Sequence, residues 1–588
     1  MLTQQIKERF EEWLAADWLS EADRAELLAV AEDEAEITDR FYCDLEFGTG
    51  GMRGELGIGT NRMNIYLIRR LTQGMADMVA EYGEAAKARG VAISYDSRRF
   101  SADFAREAAG VLAANGIKAY LCAELRPTPV LSFAVRQTGA IAGIMITASH
   151  NPKQYNGYKV YWEDGGQLPP EQADRIVAKM AERNCWQVPV MPIEQAKSAG
   201  LLQMLGAELD DIYTARVREQ MLNSQMSAAR GDKLNIVFTP LHGTGKAPVE
   251  RILRENGFVN LHLVEEQAVA DSEFSTVAVP NPEEDGAWKL AEKLAEKIES
   301  EGGGQVDLLL ATDPDADRLG VCCRTANGKF KRLTGNQVGV LLAYYIIKQE
   351  KELGTLPIDG MVVKSVVSTA LANKVVSSLG VDLKEVPVGF KYIGEQIKLM
   401  EESGRGTFLL GFEESLGYLK GTYARDKDAV LAAALVAEAA LYYKELLDKT
   451  LPDVLDVIYE KFGYYLDAQV AVTLSGMDGR EQIKEILQIL AEDRREDLGG
   501  MAVARREFYA KGEQLVDGEL KPLDFPQVDM LGITFADGSF IKVRPSGTEP
   551  KIRFYFCIAG ADEDEAEDNL KAVQQQFFKP VSKYIKKY

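Results

Sequence analysis

The stretch Ile141-Ala142-Gly143-Ile144-Met145-Ile146-Thr147-Ala148-Ser149-His150-Asn151-Pro152 runs from an apolar segment straight into a polar turn. Its first half reads as a very apolar strand, and its second half as the loop that follows. Upstream, Val91–Asp96 and Ile117–Ala123 are further short apolar runs, with the helix-like Ala102–Asn115 between them. Such alternation marks βαβ units and parallel or mixed sheets. Downstream the pattern recurs twice, first in Leu234–Pro240, Leu261–Glu266 and Asp307–Asp313, then in Met361–Thr369, Leu383–Phe390 and Thr407–Glu414. Each set places a Gly-rich or polar loop just after a strand, where α/β sheets present ligand sites.

The last stretch differs. Leu466–Leu474 reads as a strand, Glu481–Ala491 as a helix, and Met530–Ala536, Ser539–Val543 and Ile552–Ile558 as closely spaced strands. That is an α+β pattern with an antiparallel sheet. The predicted domains are therefore 1–206 (with an acidic helical lead-in to about residue 45), 207–322, 323–455 and 456–588, which suits a chain of 588 residues.

Composition bounds the function. The net charge of -22 repels nucleic acid and anionic lipid at long range. No apolar run approaches the roughly 20 residues that span a bilayer. The segment Met1–Asp17 mixes charges into a helical pattern without a signal-peptide core, so a cytoplasmic protein is expected. Six scattered cysteines without a CxxC pair are expected to be buried free thiols, and three histidines are too few for a probable structural zinc.

Four loops carry chemistry. Ser149 at a strand end can act as a nucleophile or phosphate carrier, although Ser, Asn and Pro also make ordinary turns. Asp313-Pro314-Asp315-Ala316-Asp317-Arg318 can point three carboxylates at one place, suiting a hard cation such as Mg²⁺. A solvated acidic turn is the alternative; a calcium loop lacks its Gly and bidentate Glu at the right spacing. Gly411-Phe412-Glu413-Glu414-Ser415-Leu416-Gly417-Tyr418 offers acceptors at Glu413 and Ser415 for vicinal sugar hydroxyls, or simply a helix cap. Arg544-Pro545-Ser546-Gly547-Thr548-Glu549-Pro550, with Arg553 beyond, holds the parts of a phosphate cradle or a solvated loop. The Gly-rich segment Phe47–Gly54 carries Arg53 but lacks dinucleotide spacing. Lys159 can reach the Ser149 pocket, or be a surface strand lysine.

TASHNP, DPDADR, GFEES and RPSGTEP occur in this order, and together they resemble the α-D-phosphohexomutase superfamily. The long form TASHNPKQYNGYKVYW, the segment Thr239-Pro240-Leu241-His242-Gly243-Thr244-Gly245 and Pro280–Glu283 are similar to the long bacterial phosphoglucomutases and to the phosphopentomutase and glucose-1,6-bisphosphate synthase branch. The resemblance implies three related α/β domains with mixed sheets plus a C-terminal α+β domain around a central cleft.

It also implies roles. Ser149 would be phosphorylated at rest, with Asp313, Asp315, Asp317 and a phosphoserine oxygen on Mg²⁺, and with Arg53 and Arg318 offsetting charge. Lys159 would be the first candidate for general base, ahead of His150 and Lys427. Gly389 and Lys391 lie in the sugar-specificity loop, Glu413 and Ser415 grip hydroxyls, and Arg544, Ser546, Gly547, Thr548 and Arg553 hold the phosphate. Lys427 belongs to a charged segment after the sugar loop. The expected activity interconverts glucose 1-phosphate and glucose 6-phosphate through glucose 1,6-bisphosphate, which also activates. The bisphosphate must turn over, so a hinge is expected near residue 455. Phosphopentomutase, phosphomannomutase, a phosphatase and a catalytically silent sugar-phosphate-binding protein are the alternatives. The expected partner is a small sugar phosphate, with no nucleic acid or membrane, in a monomer or weak dimer.

Overall fold

The computed structural model describes residues 2–48, 50–183, 186–474, 479–546 and 551–585. They form two compact units. The first comprises residues 1–322 with 397–399 and 417–441, and the second 323–396, 400–416 and 442–588.

In the first unit the apolar runs form one mixed sheet in the order Gly51–Glu55, Tyr155–Trp162, Ala142–Ile146, Val91–Tyr95, Ala119–Cys122 and Leu202–Leu205. The last four strands run parallel, whereas Tyr155–Trp162 is antiparallel to both neighbours. Every residue of Val91–Tyr95 and Ala142–Ile146 is buried, as continuous apolar runs require. The helix expected over Ala102–Asn115 spans Ser101–Ala114. The edge strand Gly51–Glu55 was not legible, because it is glycine-containing and polar. Gly51 has φ 145°, and a Cβ there would lie 2.1 Å from the Tyr158 carbonyl oxygen. A second parallel set holds Ile236–Thr239 between Leu261–Leu263 and Leu308–Thr312. The lead-in consists of helices Gln4–Ala15, Glu21–Ala29 and Glu34–Phe41, capped by Thr3, Ser20 and Asp33 and packed through Phe10, Trp13, Leu27 and Phe41.

In the second unit, Gly360–Ser365 runs parallel between Asp382–Val386 and Thr407–Glu413. The C-terminal sheet is ordered Tyr464–Thr473, Lys551–Gly560, Phe540–Pro545, Leu531–Phe535, Met501–Phe508, Glu513–Val516 and Glu519–Pro522. Its described pairings are antiparallel. Helices Gly479–Glu492 and Glu563–Phe578 bury Ile486, Leu490, Val573 and Phe577 in the same core as Phe554 and Phe556. The three strands over 501–522 escape the sequence reading, since most of their residues are charged or half-exposed.

The expected hinge is corrected. Residue 455 lies inside the helix Leu451–Phe462, with Val454, Leu455 and Ile458 buried. A bend there would break helical hydrogen bonds and lift apolar side chains from the core. The helix ends instead at Gly463, whose φ of 88° suits glycine. Cys122, Cys322, Cys323 and Cys557 are buried, Cys43 is half-buried, and Cys185 lies outside the described residues.

Candidate active site

Strand Ala142–Ile146 delivers Thr147 and Ser149 to its carboxyl end. Ser149 adopts φ 51°, a left-handed conformation that costs a non-glycine residue about 1–3 kcal/mol. A buried pair, Asp96 and Arg98, holds it there. Thr147 Oγ1 donates to Asp96 Oδ2 at 2.6 Å and accepts the Ser149 N–H at 2.8 Å. The Arg98 guanidinium donates to the carbonyls of Ser149, Asn151, Pro152 and Tyr155 at 2.5–3.1 Å. Its Nε lies 3.2 Å from Asp96. Sequence reasoning missed both residues, although Asp96 closes the strand it identified.

The loop after Leu308–Thr312 brings the three aspartates together. One ligand oxygen from each of Asp313, Asp315 and Asp317 lies within 4.8 Å of the others, and all three residues are buried. Asp313 Oδ1 accepts the N–H groups of Asp317 and Arg318, at 3.2 and 3.1 Å. Asp313 Oδ2 accepts from Ser149 Oγ at 2.9 Å. Thr128 Oγ1 donates to Asp315 Oδ2 at 2.8 Å, a contact that no sequence feature signals.

Two lysines meet the same carboxylates. Lys159 Nζ is 2.7 Å from Asp315 Oδ2 and 3.4 Å from Asp317 Oδ2. Lys427 Nζ is 3.1 Å from Asp317 Oδ2 and 3.0 Å from Asp426 Oδ1. Lys159 reaches this place because it pairs with Gly51 and Met145 on the flanking strands. Arg318 Nε stands 3.9 Å from Asp317. Arg53 donates to Asn151 Oδ1 at 3.0 Å, within the serine loop. His150 Nδ1 lies 3.1 Å from Ser149 Oγ.

The electrostatics are unequal. Burial, then Asp315 and Asp317, push the Asp313 carboxyl well above the usual range. Burial opposes the charge on Asp317 too, yet Lys427, Lys159 and Arg318 hold that carboxyl below its ordinary value. Burial would lower the Lys159 pKa, but Asp315 and Asp317 outweigh it and raise it. A general base needs a depressed pKa, whereas these two carboxylates favour the ammonium form of Lys159. Burial, with Arg318 and Arg53, keeps the His150 imidazole neutral by lowering its pKa well below normal.

The carboxylates fit a divalent cation. The buried atoms Asp315 Oδ1 and Asp317 Oδ1 have no hydrogen-bond partner. Buried acceptors without partners are costly. The donor set is all oxygen, the chemistry preferred by Mg²⁺.

The second unit carries the other predicted loops. Glu413 is buried, and its Oε1 accepts the Gly389 N–H at 2.8 Å, tying the segments around 389 and 413 together. Ser415 is half-buried beside it in sequence. Arg544 and Arg553 are directly opposed on antiparallel strands. Like charges so placed repel unless an anion lies between them. Arg544 and Ser546 line a cavity of about 190 Å³ with Tyr392, Val388 and Met530. Burial, with Arg544 nearby, lowers the pKa of Lys391. Gly547 and Thr548 lie outside the described residues.

Four family models match the chain in order. They are phosphoglucomutase/phosphomannomutase alpha/beta/alpha domain I over 44–184, domain II over 211–328, domain III over 334–462 and the C-terminal domain over 477–574. A phosphoglucomutase of Staphylococcus saprophyticus is 35% identical over 92% of this chain and 95% of its own. One of Staphylococcus aureus is 35% identical over 95% and 97%. Among solved structures, the Paramecium phosphoprotein parafusin, a phosphoglucomutase, aligns over 92% of this chain and 96% of its own, with TM-score 0.68 and 17% identity. A phosphoglucomutase/phosphomannomutase family protein of Burkholderia thailandensis aligns over 91% and 97%, with TM-score 0.62 and 17% identity. At those identities the structural likeness shows the fold.

Proposed function

We infer the function from the site and from the family: the chain belongs to the phosphoglucomutase/phosphomannomutase family. It is an isomerase that moves a phosphoryl group within a hexose phosphate, interconverting glucose 1-phosphate and glucose 6-phosphate. The observation that carries this reading is Ser149 Oγ, 2.9 Å from Asp313 within a cluster of three buried carboxylates. The relatives named phosphoglucomutase support glucose as the sugar.

In this reading Ser149 carries the phosphoryl group at rest. Asp313, Asp315, Asp317 and an oxygen on Ser149 would hold Mg²⁺, which would supply positive charge to the transferring phosphoryl. Lys159, Arg53 and Arg318 add fixed charge around the same group, and such transfer depends mainly on positioning and electrostatics. As the Ser149 Oγ–P bond breaks, a bond forms from phosphorus to a sugar hydroxyl oxygen. The hydroxyl proton ends on Ser149 Oγ, and His150 Nδ1, 3.1 Å away, is placed to relay it. The reverse transfer, from the other position of glucose 1,6-bisphosphate, restores the phosphoserine.

The phosphate that does not react docks on Arg544, Ser546 and Arg553, with Gly547 and Thr548 in the same motif, while Glu413 and Ser415 hold hydroxyls. Gly389 and Lys391 set the sugar preference, and Lys427 fixes Asp317. The enzyme works in the cytoplasm on a small sugar phosphate; no helix among the described residues is long and apolar enough to cross a membrane.

A substrate panel tests the reading. The 1-phosphates of glucose, mannose, glucosamine and ribose, each with a trace of glucose 1,6-bisphosphate, should isomerise fastest for glucose and release no inorganic phosphate. Phosphate release in place of isomerisation would identify a phosphatase, and a faster mannose or ribose reaction would reassign the sugar.

A further inference from the structure

The segment Thr239-Pro240-Leu241-His242-Gly243-Thr244-Gly245 has no role in the reaction just described, yet its backbone is costly. Leu241 and His242 are consecutive non-glycine residues with φ 45° and 64°. Side chains disfavour this left-handed backbone, so the surrounding contacts must over-determine the loop.

They do so around His242, which is buried. Its Nδ1 is 3.0 Å from the Val269 carbonyl and its Nε2 is 2.7 Å from Thr276 Oγ1. Its backbone N–H donates to the Gln267 carbonyl at 2.9 Å, and the Gly243 N–H donates to Pro240 at 2.8 Å.

The loop so fixed presses on the back of the aspartate loop. Thr244 donates twice to one acceptor, the Pro314 carbonyl, through its N–H at 2.8 Å and its Oγ1 at 3.0 Å. Gly243 lies so close that a Cβ there would sit 2.4 Å from Pro314 Cα. A Cβ on Gly245 would lie 2.4 Å from Thr312 Oγ1 and 3.3 Å from the Ala316 Cβ. Thr312, Pro314 and Ala316 alternate with Asp313, Asp315 and Asp317. The clamp thus bears on the residues that alternate with the carboxylates.

We propose that Thr244, seated by the strained Leu241–His242 turn and the close approach of Gly243, is a positioning residue that sets the convergence of Asp313, Asp315 and Asp317 and hence their affinity for a divalent cation. Lys159 and Lys427 face these carboxylates from the front, and their convergence also depends on how firmly the loop is backed from behind. A doubly hydrogen-bonded carbonyl between the first two aspartates supplies that backing. This rests on the cation reading of the three aspartates.

The test is direct Mn²⁺ binding to the full-length protein, followed by electron paramagnetic resonance of the free ion, with Mg²⁺ as competitor. Thr244→Val keeps the volume and the N–H but removes the hydroxyl donor, and should weaken Mn²⁺ binding about three- to ten-fold, the worth of one hydrogen bond. Thr244→Ser restores the donor and should recover most of the affinity, which a purely space-filling role would not give. Asp315→Asn tests the site itself and should weaken binding further. Wild-type binding with unchanged affinity in Thr244→Val, or Thr244→Ser no better than Thr244→Val, would overturn the clamp alone. A wild-type protein that binds no Mn²⁺ would overturn the cation reading and the clamp with it.

Discussion

Ser149 Oγ and Asp313 Oδ2 lie 2.9 Å apart although 164 residues separate them in the chain. The contact joins the ends of two strands, Ala142–Ile146 and Leu308–Thr312, that belong to different sheets of one unit. It places the proposed phosphoryl carrier against the proposed cation ligands.

Ser149→Ala should abolish turnover while leaving the fold intact, since only one loop hydroxyl is lost. Intact-mass measurement should find a phosphate adduct on part of the wild-type protein and none on the variant. Turnover near the wild-type rate would reject Ser149 as the carrier.

Metal removal should silence the enzyme. Stripping with chelator and dialysis should remove activity, and Mg²⁺ should restore it. Asp315→Asn should raise the Mg²⁺ concentration needed for half-maximal rate, because a neutral amide binds a hard dication less well. Full activity in excess chelator would exclude a catalytic cation.

Arg544 faces Arg553 across the antiparallel pair. Arg544→Ala should chiefly weaken substrate binding, by about 1.5–3 kcal/mol for a charge-assisted contact, or roughly ten- to a hundred-fold. Phosphorylation of Ser149 by added bisphosphate should weaken as well, since the donor needs the same cradle. Arg544→Lys should recover part of the loss, because a point charge cannot fork onto two oxygens. An unchanged affinity in a direct titration would place the phosphate elsewhere.

Asp467 links pH to stability. It is buried and pushed up to about 6, chiefly by burial, against the opposing hydrogen bonds of Cys557, Thr369 and Asn336. Below the ordinary Asp value of 3.8 both folded and unfolded chains hold the proton. As pH rises from there to about 6, the unfolded chain releases its proton while the native carboxyl keeps it, so stability falls. Above about 6 the full penalty, on the order of 3 kcal/mol, is in place. Asp467→Asn should therefore melt higher than wild type at pH 7.5 and lose that advantage by pH 4. A gain independent of pH would show that the carboxyl is not the cause.

Much of this was legible in the chain. Apolar runs ending at Ile146, Thr312 and Glu413 are strands because residues buried on both faces must be apolar, and their loops carry the polar residues that burial excludes. The alternation of Asp313, Asp315 and Asp317 announced their convergence for the same local reason. What escaped depends on partners remote in sequence. Asp96 and Arg98 read as loop residues until Arg98 is seen holding carbonyls from 149 to 155. Thr128 reaches Asp315 across 187 residues, and Lys159 reaches it across 156. A lysine alone on a strand carries no sign of which carboxylates will face it, so only packing could decide that Lys159 meets Asp315 and Asp317.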